Sequence, residues 1–471
     1  MRINGSRRIP PVLFVRKEFC CKISACRRTH DGKSTHVRFS IGATLPERMK
    51  GETNSSNGWN QTPPKEKPRL WVVSEIYYPE EISTGYYLTN IAEGLAENYN
   101  VKAICGQPNY ASRGIRAARR ETRNNVEIFR VTSTTLDKNV IPYRLLNMIT
   151  LSISMLIFAI RRFTANDRVL VVTAPPSLPF ISALACLVKR SNYTLLLHDC
   201  YPEVLIAVGK LKPNSLLSKL VNLLNNWLYK HASKIIVVGR DMNELLKNKT
   251  NGLNIPIVFI PNWADLESIH PTPRDENAML SDLGIANKFV FMYAGNIGHP
   301  TDVESIIECA DRLQGTVDLH FVFIGSGAKS TWLSDQVKRR RLENVSVLGQ
   351  RPRNEQIVFL NACDVGLVSL VKNMWGTAMP SRTYNILAAG KPILALTDHG
   401  SELARVIEEE CVGWYTRPGD VDELQAKVLE IYEHRDTLRE MGKRARAAAM
   451  NKYSRASAIA RYAREFDPAT L

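Results

Sequence analysis

Paired cysteines are missing from this chain of 471 residues. Its nine thiols, at Cys20, Cys21, Cys26, Cys105, Cys186, Cys200, Cys309, Cys363 and Cys411, follow no paired spacing, and most of those after residue 100 fall in apolar runs. That excludes a disulfide framework and predicts buried thiols in a reducing, cytoplasmic setting. Cys20, Cys21 and Cys26 lie close together, but only the loosely spaced His30 and His36 could complete a zinc site, so no metal is expected there. Export is not expected either: the apolar run after Arg7-Arg8 is short, broken by Pro10 and Pro11, and stopped by Arg16-Lys17-Glu18. The uncharged apolar segment Leu145 to Ile160 holds 16 residues, fewer than the ~20 that a hydrocarbon core requires. Arg144 and Arg161-Arg162 bound it. It reads either as a helix seated at a membrane surface with its arginines on headgroups or as a core helix; one helix can do both.

Acidic residues are also short, with 46 Asp/Glu against 62 Lys/Arg and a net charge of +16. Residues 1–66 carry 13 Lys/Arg against five Asp/Glu, an excess of eight and half of the total, so much of the surplus belongs to an N-terminal extension. No base-reading or base-stacking motif accompanies the charge. Nucleic acid is therefore not an expected partner, whereas nucleotide phosphates and anionic headgroups are. Residues 51–67, rich in Asn, Ser, Pro and Lys, predict a disordered lead into the fold.

What is present is a long alternation of buried strands and helices. Continuous apolar runs at 70–74, 101–106, 168–172, 193–197 and 234–238, with helical stretches between them (one expected over 87–98), predict a doubly wound parallel sheet. The pattern resets near Asn262 and restarts at Phe289. The expected division is a basic extension over 1–66, Rossmann-like domains over 67–265 and 266–435, and terminal helices over 436–471 packing toward the first domain.

The second alternation carries the clearest chemistry. Phe291-Met292-Tyr293-Ala294 runs into Gly295-Asn296-Ile297-Gly298, a glycine turn whose N–H groups can approach a pyrophosphate, and a helix expected over 302–313 aims its positive end there. A second strand ends at Gly325-Ser326-Gly327, beside the same ligand position at the carboxyl ends of the strands. Gly325 to Ser330 lacks the glycine-to-lysine spacing of a P-loop, so ATP hydrolysis is not expected. Between Pro380 and Gly390 a short helix is expected, and Arg382 in its first turn can offer two donors to phosphate oxygens, unless it is simply a solvated helix-start arginine. In the first half, His198-Asp199 follows the buried strand Leu195-Leu196-Leu197 and precedes Cys200-Tyr201-Pro202-Glu203.

These segments, together with Ile260 to Asp265 and Ala362 to Val368, closely resemble the family 4 glycosyltransferases over roughly residues 68–463. Within them the chain is most similar to bacterial enzymes of O-antigen, colanic acid and related surface polysaccharides, fucosaminyl transferases included. The resemblance implies a GT-B fold of two Rossmann-like domains facing across a cleft, and a retaining transfer of a hexose, an amino or deoxy sugar. The donor would be a nucleotide sugar, the acceptor a lipid-linked saccharide at the inner face of the membrane, with no metal or other cofactor. It places His198 and Asp199 at the cleft as catalytic residues, and Gly295, Asn296, Gly298, Gly325, Ser326, Ser381 and Arg382 around the donor. It also makes Tyr77 to Tyr87 a loop beside acceptor and diphosphate, with Gly85 and Tyr86 at its end.

One departure stands out. The family often carries two glutamates with seven residues between them around the short helix, the second on the nucleotide ribose, where this chain has Thr377 and Asn385. The Asn385 amide can still bond a ribose hydroxyl without charge assistance, and backbone groups around Gly376 and Thr377 can orient the donor sugar. Two rival readings remain: a sugar-nucleotide 2-epimerase of the same fold, against which the Leu145 to Ile160 segment argues, and a non-catalytic assembly partner, against which both glycine turns and His198-Asp199 argue.

Overall fold

The computed structural model describes residues 67–109, 115–137, 140–316 and 318–467. The cysteine cluster and the basic extension of residues 1–66 lie outside them. Two sheets organise the rest, within one compact unit. The first contains β1 (Arg69–Val73), β2 (Asn100–Cys105), β3 (Arg120–Arg123), β4 (Val126–Arg130), β5 (Arg168–Val172), β6 (Asn192–Leu197), β7 (Lys234–Val237) and β8 (Ile257–Phe259). Its order is β3-β4-β2-β1-β5-β6-β7-β8, parallel except for the β3/β4 pair. The helices of this half are α1 (Ser83–Leu95), α2 (Ile141–Arg162), α3 (Leu178–Lys189), α4 (Glu203–Ala207), α5 (Leu216–His231) and α6 (Arg240–Lys249).

The second sheet contains β9 (Phe289–Ala294), β10 (Leu319–Ile324), β11 (Val345–Leu348), β12 (Val365–Ser369), β13 (Ile393–Leu396) and β14 (Gly413–Thr416), in the order β11-β10-β9-β12-β13-β14 and parallel throughout. Its helices are α7 (Ala278–Asp282), α8 (Val303–Arg312), α9 (Ser330–Arg340), α10 (Gln356–Asn361), α11 (Arg382–Ala388), α12 (Glu402–Glu410) and α13 (Val421–Glu433). The chain closes with α14 (Leu438–Asn451) and α15 (Arg455–Glu465). Strand order reverses at β1/β5 and at β9/β12, and a crevice opens at the carboxyl ends of strands where such a reversal occurs. Continuous burial along β10 and β12 follows from helices covering both faces.

Two expectations change. Helix α1 opens at Ser83, four residues before the expected start, so Gly85 and Tyr86 belong to its first turn rather than to a loop. Of the terminal helices, α15 packs on the first half: a Cβ at Gly94 of α1 would fall 2.6 Å from Ile459, and Lys234 reaches Glu465 at 2.6 Å. Helix α14 lies against α11 instead, where the close approach of Gly442 to the carbonyl of Gly390 leaves no room for a side chain.

The uncharged segment Leu145 to Ile160 lies within α2, 22 residues that are long and apolar enough to cross a bilayer by length and composition. Yet Leu151, Met155 and Ala159 are buried in the first core, and the Asn147 amide bonds both backbone groups of Leu136. One face is therefore core, while Ile149, Ile153 and Ile157 on the other are exposed.

Candidate functional site

The glycine turns meet one arginine. Gly295 leaves β9 with φ +147°, and a Cβ there would fall 2.6 Å from Cζ of Arg382. The guanidinium lies over the Tyr293 ring at 4.3 Å. Its Nη1 is buried and has no hydrogen-bond partner among the described residues. A cation that keeps an unpaired N–H out of water costs free energy unless something anionic completes it. Gly325, with φ +149°, must also be glycine, because a Cβ would sit 1.9 Å from the carbonyl of Gly295. Asn296 turns back over its own loop, its side chain next to Gly298 and Gly327. Ser326 is exposed and its hydroxyl donates to Gln350 at 2.9 Å. Helix α8 starts just beyond, capped by Asp302, which accepts from the Ser305 N–H at 3.0 Å. Lys329 is committed to Glu304 at 2.9 Å and to the Thr301 carbonyl.

The first half reaches this place through Ser83, whose hydroxyl lies 2.8 Å from that of Ser381, the N-cap residue of α11. Gly85 serves the loop itself: a Cβ there would meet the Glu80 carbonyl at 2.2 Å. The Tyr86 ring carries the Arg353 guanidinium at 3.5 Å, and Arg353 also pairs with Asp265 at 3.1 Å.

His198 and Asp199 follow β6. The two are half-buried, and Nε2 of His198 has no hydrogen-bond partner among the described residues. Burial pushes the imidazole down to about 4 and the Asp199 carboxyl up to about 6. The backbone of this segment joins the second half directly: Asp199 bridges Ala378, and the Cys200 N–H donates to the Thr377 carbonyl at 2.8 Å. Ala378 is four residues before Arg382, so the His198 segment is joined to the stretch that leads into α11. Glu203 opens α4 and is paired with Lys249 at 2.5 Å.

The positions that depart from the double-glutamate pattern are committed elsewhere. The Thr377 hydroxyl donates to the Met374 carbonyl at 2.8 Å. The Asn385 amide accepts from the Asp265 N–H and donates to Gln356, both at 3.1 Å, which ties α11 to the connection between the halves. Gly376 has φ +69° and donates its N–H to Asp241. Sequence reasoning missed Tyr293, Gly327, Ser83 and Arg353. Gly327 carries a signal in its place beside Gly325, whereas Ser83 and Arg353 depend on contacts between the halves and Tyr293 on a ring contact with a residue far away in sequence. A cavity of about 570 Å³ between Pro271, Asp364, Lys391 and Arg446 holds none of these residues.

Residues 84–268 match the family described as glycosyltransferase family 4, and residues 276–448 match glycosyl transferases group 1. A protein of Pseudomonas aeruginosa described as the probable glycosyltransferase WbjE is 32% identical over 375 residues, covering 78% of this chain and 90% of its own length. WcaI of Escherichia coli, described as a colanic acid biosynthesis glycosyl transferase, is 27% identical over 43% of this chain and 51% of its own length. Among solved structures, Anabaena HepE in complex with UDP-glucose superposes with a TM-score of 0.62 at 17% identity, over 86% of this chain and all of its own. With two parallel-sheet Rossmann-like halves enclosing a glycine-lined cleft, and a relative this similar along most of its length, the chain belongs to the family 4 glycosyltransferases of the GT-B fold.

Proposed function

We propose that the protein is a retaining hexosyltransferase of bacterial surface polysaccharide synthesis, moving an amino or deoxy sugar from a nucleotide diphosphate to a lipid-linked saccharide. It would work in the cytoplasm at the inner face of the membrane. The observation that carries the reading is the buried, unpartnered Nη1 of Arg382 against Gly295, a ready donor for a diphosphate oxygen. HepE in complex with UDP-glucose supports a nucleotide sugar as donor, and the colanic acid assignment of WcaI supports the polysaccharide role. The outward isoleucines of α2 support a membrane-borne acceptor.

In this reading the N–H groups of the Gly295 turn and Arg382 take up the charge that develops on the leaving phosphate, so the reaction needs no metal. A neutral His198 bonds the donor sugar, and Asp199 receives or orients the acceptor proton. Departure and attack on the same face of the sugar fit the lack of an obvious nucleophile in the sequence. Isothermal calorimetry with a panel of nucleoside diphosphates tests the donor half. One should bind, and Arg382→Ala should weaken it by about 2 kcal/mol, roughly thirtyfold. Equal affinity in a folded variant removes Arg382 from the phosphate site.

A further inference from the structure

Helix α5 is built inside out. Leu216, Leu217, Leu220, Leu223, Leu224 and Trp227 recur at the spacing of one helical face, and all six are exposed, Leu216 at 85% and Leu223 at 66%. The face turned to the protein contains Ser218 and Asn225 beside Leu228 and Tyr229. A soluble surface helix shows the reverse arrangement, since apolar area belongs away from water. The neighbouring helices extend the patch. Helix α3 packs between α2 and α5, and it exposes Leu184, Leu187 and Val188.

Charge identifies what covers this surface. No acidic residue occurs between Glu203 and Asp241, and between residues 138 and 198 the only one is Asp167, which is buried and paired with Arg69. Lys210, Lys212, Lys219 and Lys230 flank the α5 stripe, and Arg161, Arg162 and Lys189 close α2 and α3. A second copy docked through the same face would set these cations against each other. Anionic headgroups above an apolar layer match both features.

We propose that α5, with the outer faces of α2 and α3, is the surface by which the protein seats itself on an anionic bilayer, α5 supplying its largest apolar stripe. This rests on the membrane reading above and extends it to an element which that reading does not use. The surface adjoins the reacting groups: Asn225 of α5 donates to the Tyr201 carbonyl at 2.7 Å, two residues from Asp199. A lipid-linked acceptor lying in the bilayer would thus present its sugar beside the His198 loop.

The test is flotation of the full chain with vesicles of phosphatidylethanolamine and phosphatidylglycerol, beside vesicles of phosphatidylcholine alone. The wild-type protein should float with the first and much less with the second. Leu220→Ser with Leu223→Ser should cut partitioning about a hundredfold, on the order of tenfold for each leucine, with unchanged melting. Should that pair fail to fold, Leu216→Ser with Leu217→Ser serves the same purpose. Full flotation of the α5 variants, with loss in Ile153→Ser/Ile157→Ser, overturns the α5 assignment and leaves the membrane reading standing. Wild-type protein that floats with neither vesicle overturns both. A dimer that the α5 changes dissociate, with flotation unaltered, overturns the proposal in favour of a subunit interface.

Discussion

Asp199 and His198 leave the same strand end, and burial drives both toward the neutral form. With its pKa pushed down to about 4, the imidazole is uncharged at neutral pH, which suits bonds to sugar hydroxyls rather than charge neutralisation. Asp199, pushed up to about 6, is ionised at pH 7.5 but takes a proton readily. With Asp199 in its proposed role of receiving the acceptor proton, transfer at saturating donor should decline as the pH falls through about 6; His198 protonates too low to cause that limb. The same shift has a stability cost. The unfolded chain releases the Asp199 proton near 4, so stability falls as the pH rises from there to about 6 and stays lower above it. Asp199→Asn should remove the acid limb and slow transfer while raising stability at pH 7 by about 1–2 kcal/mol, a figure reduced for its partial exposure. A pH–rate profile and a thermal melt check the two arms; an unchanged limb would assign it to another group.

At the scale of the element, α2 divides sharply around its circumference. Phe158 packs on Phe129 with ring centroids 5.3 Å apart and on Trp71 at 6.2 Å, whereas Ile157 beside it is 45% exposed. Phe158→Ala should cost about 3 kcal/mol and Ile157→Ser less than about 1, measured by urea unfolding. Similar losses at the two positions would mean that the outer face is packed after all. The sequence pattern exposes the strands well: 168–172 is observed as expected, and the glycine turns follow β9 and β10 as read. Helix starts are less legible, because Ser83 and the turn before it compete with an apolar run that resumes only at Tyr87. The stripe of α5 is periodic in sequence, but periodicity identifies a face without saying whether protein, water or lipid lies against it.

Across the whole molecule, the cleft is held by pairs far apart in sequence. Asp241 accepts from the N–H groups of Gly376 and Glu402, both at 3.0 Å, and Glu402 in turn pairs with Arg240 at 2.9 Å. Arg405 reaches Glu244 at 2.8 Å. None of these has a local signature, which is why the site was legible as strand ends and glycines but not as a cleft with Ser83, Tyr293 and Arg353 in it. Thr377 and Asn385 show the same limit, since their place in the pattern suggests the donor while their hydrogen bonds run to Met374, Asp265 and Gln356. The proposed function divides the labour between the halves: the second half holds the diphosphate, and the His198 loop of the first half acts at the sugar. Product formation on a lipid-linked acceptor, followed beside calorimetric binding of the nucleoside diphosphate in His198→Ala, tests that division most directly. The account predicts transfer lowered at least about a hundredfold with diphosphate affinity within about twofold of wild type; full transfer in this variant would contradict it.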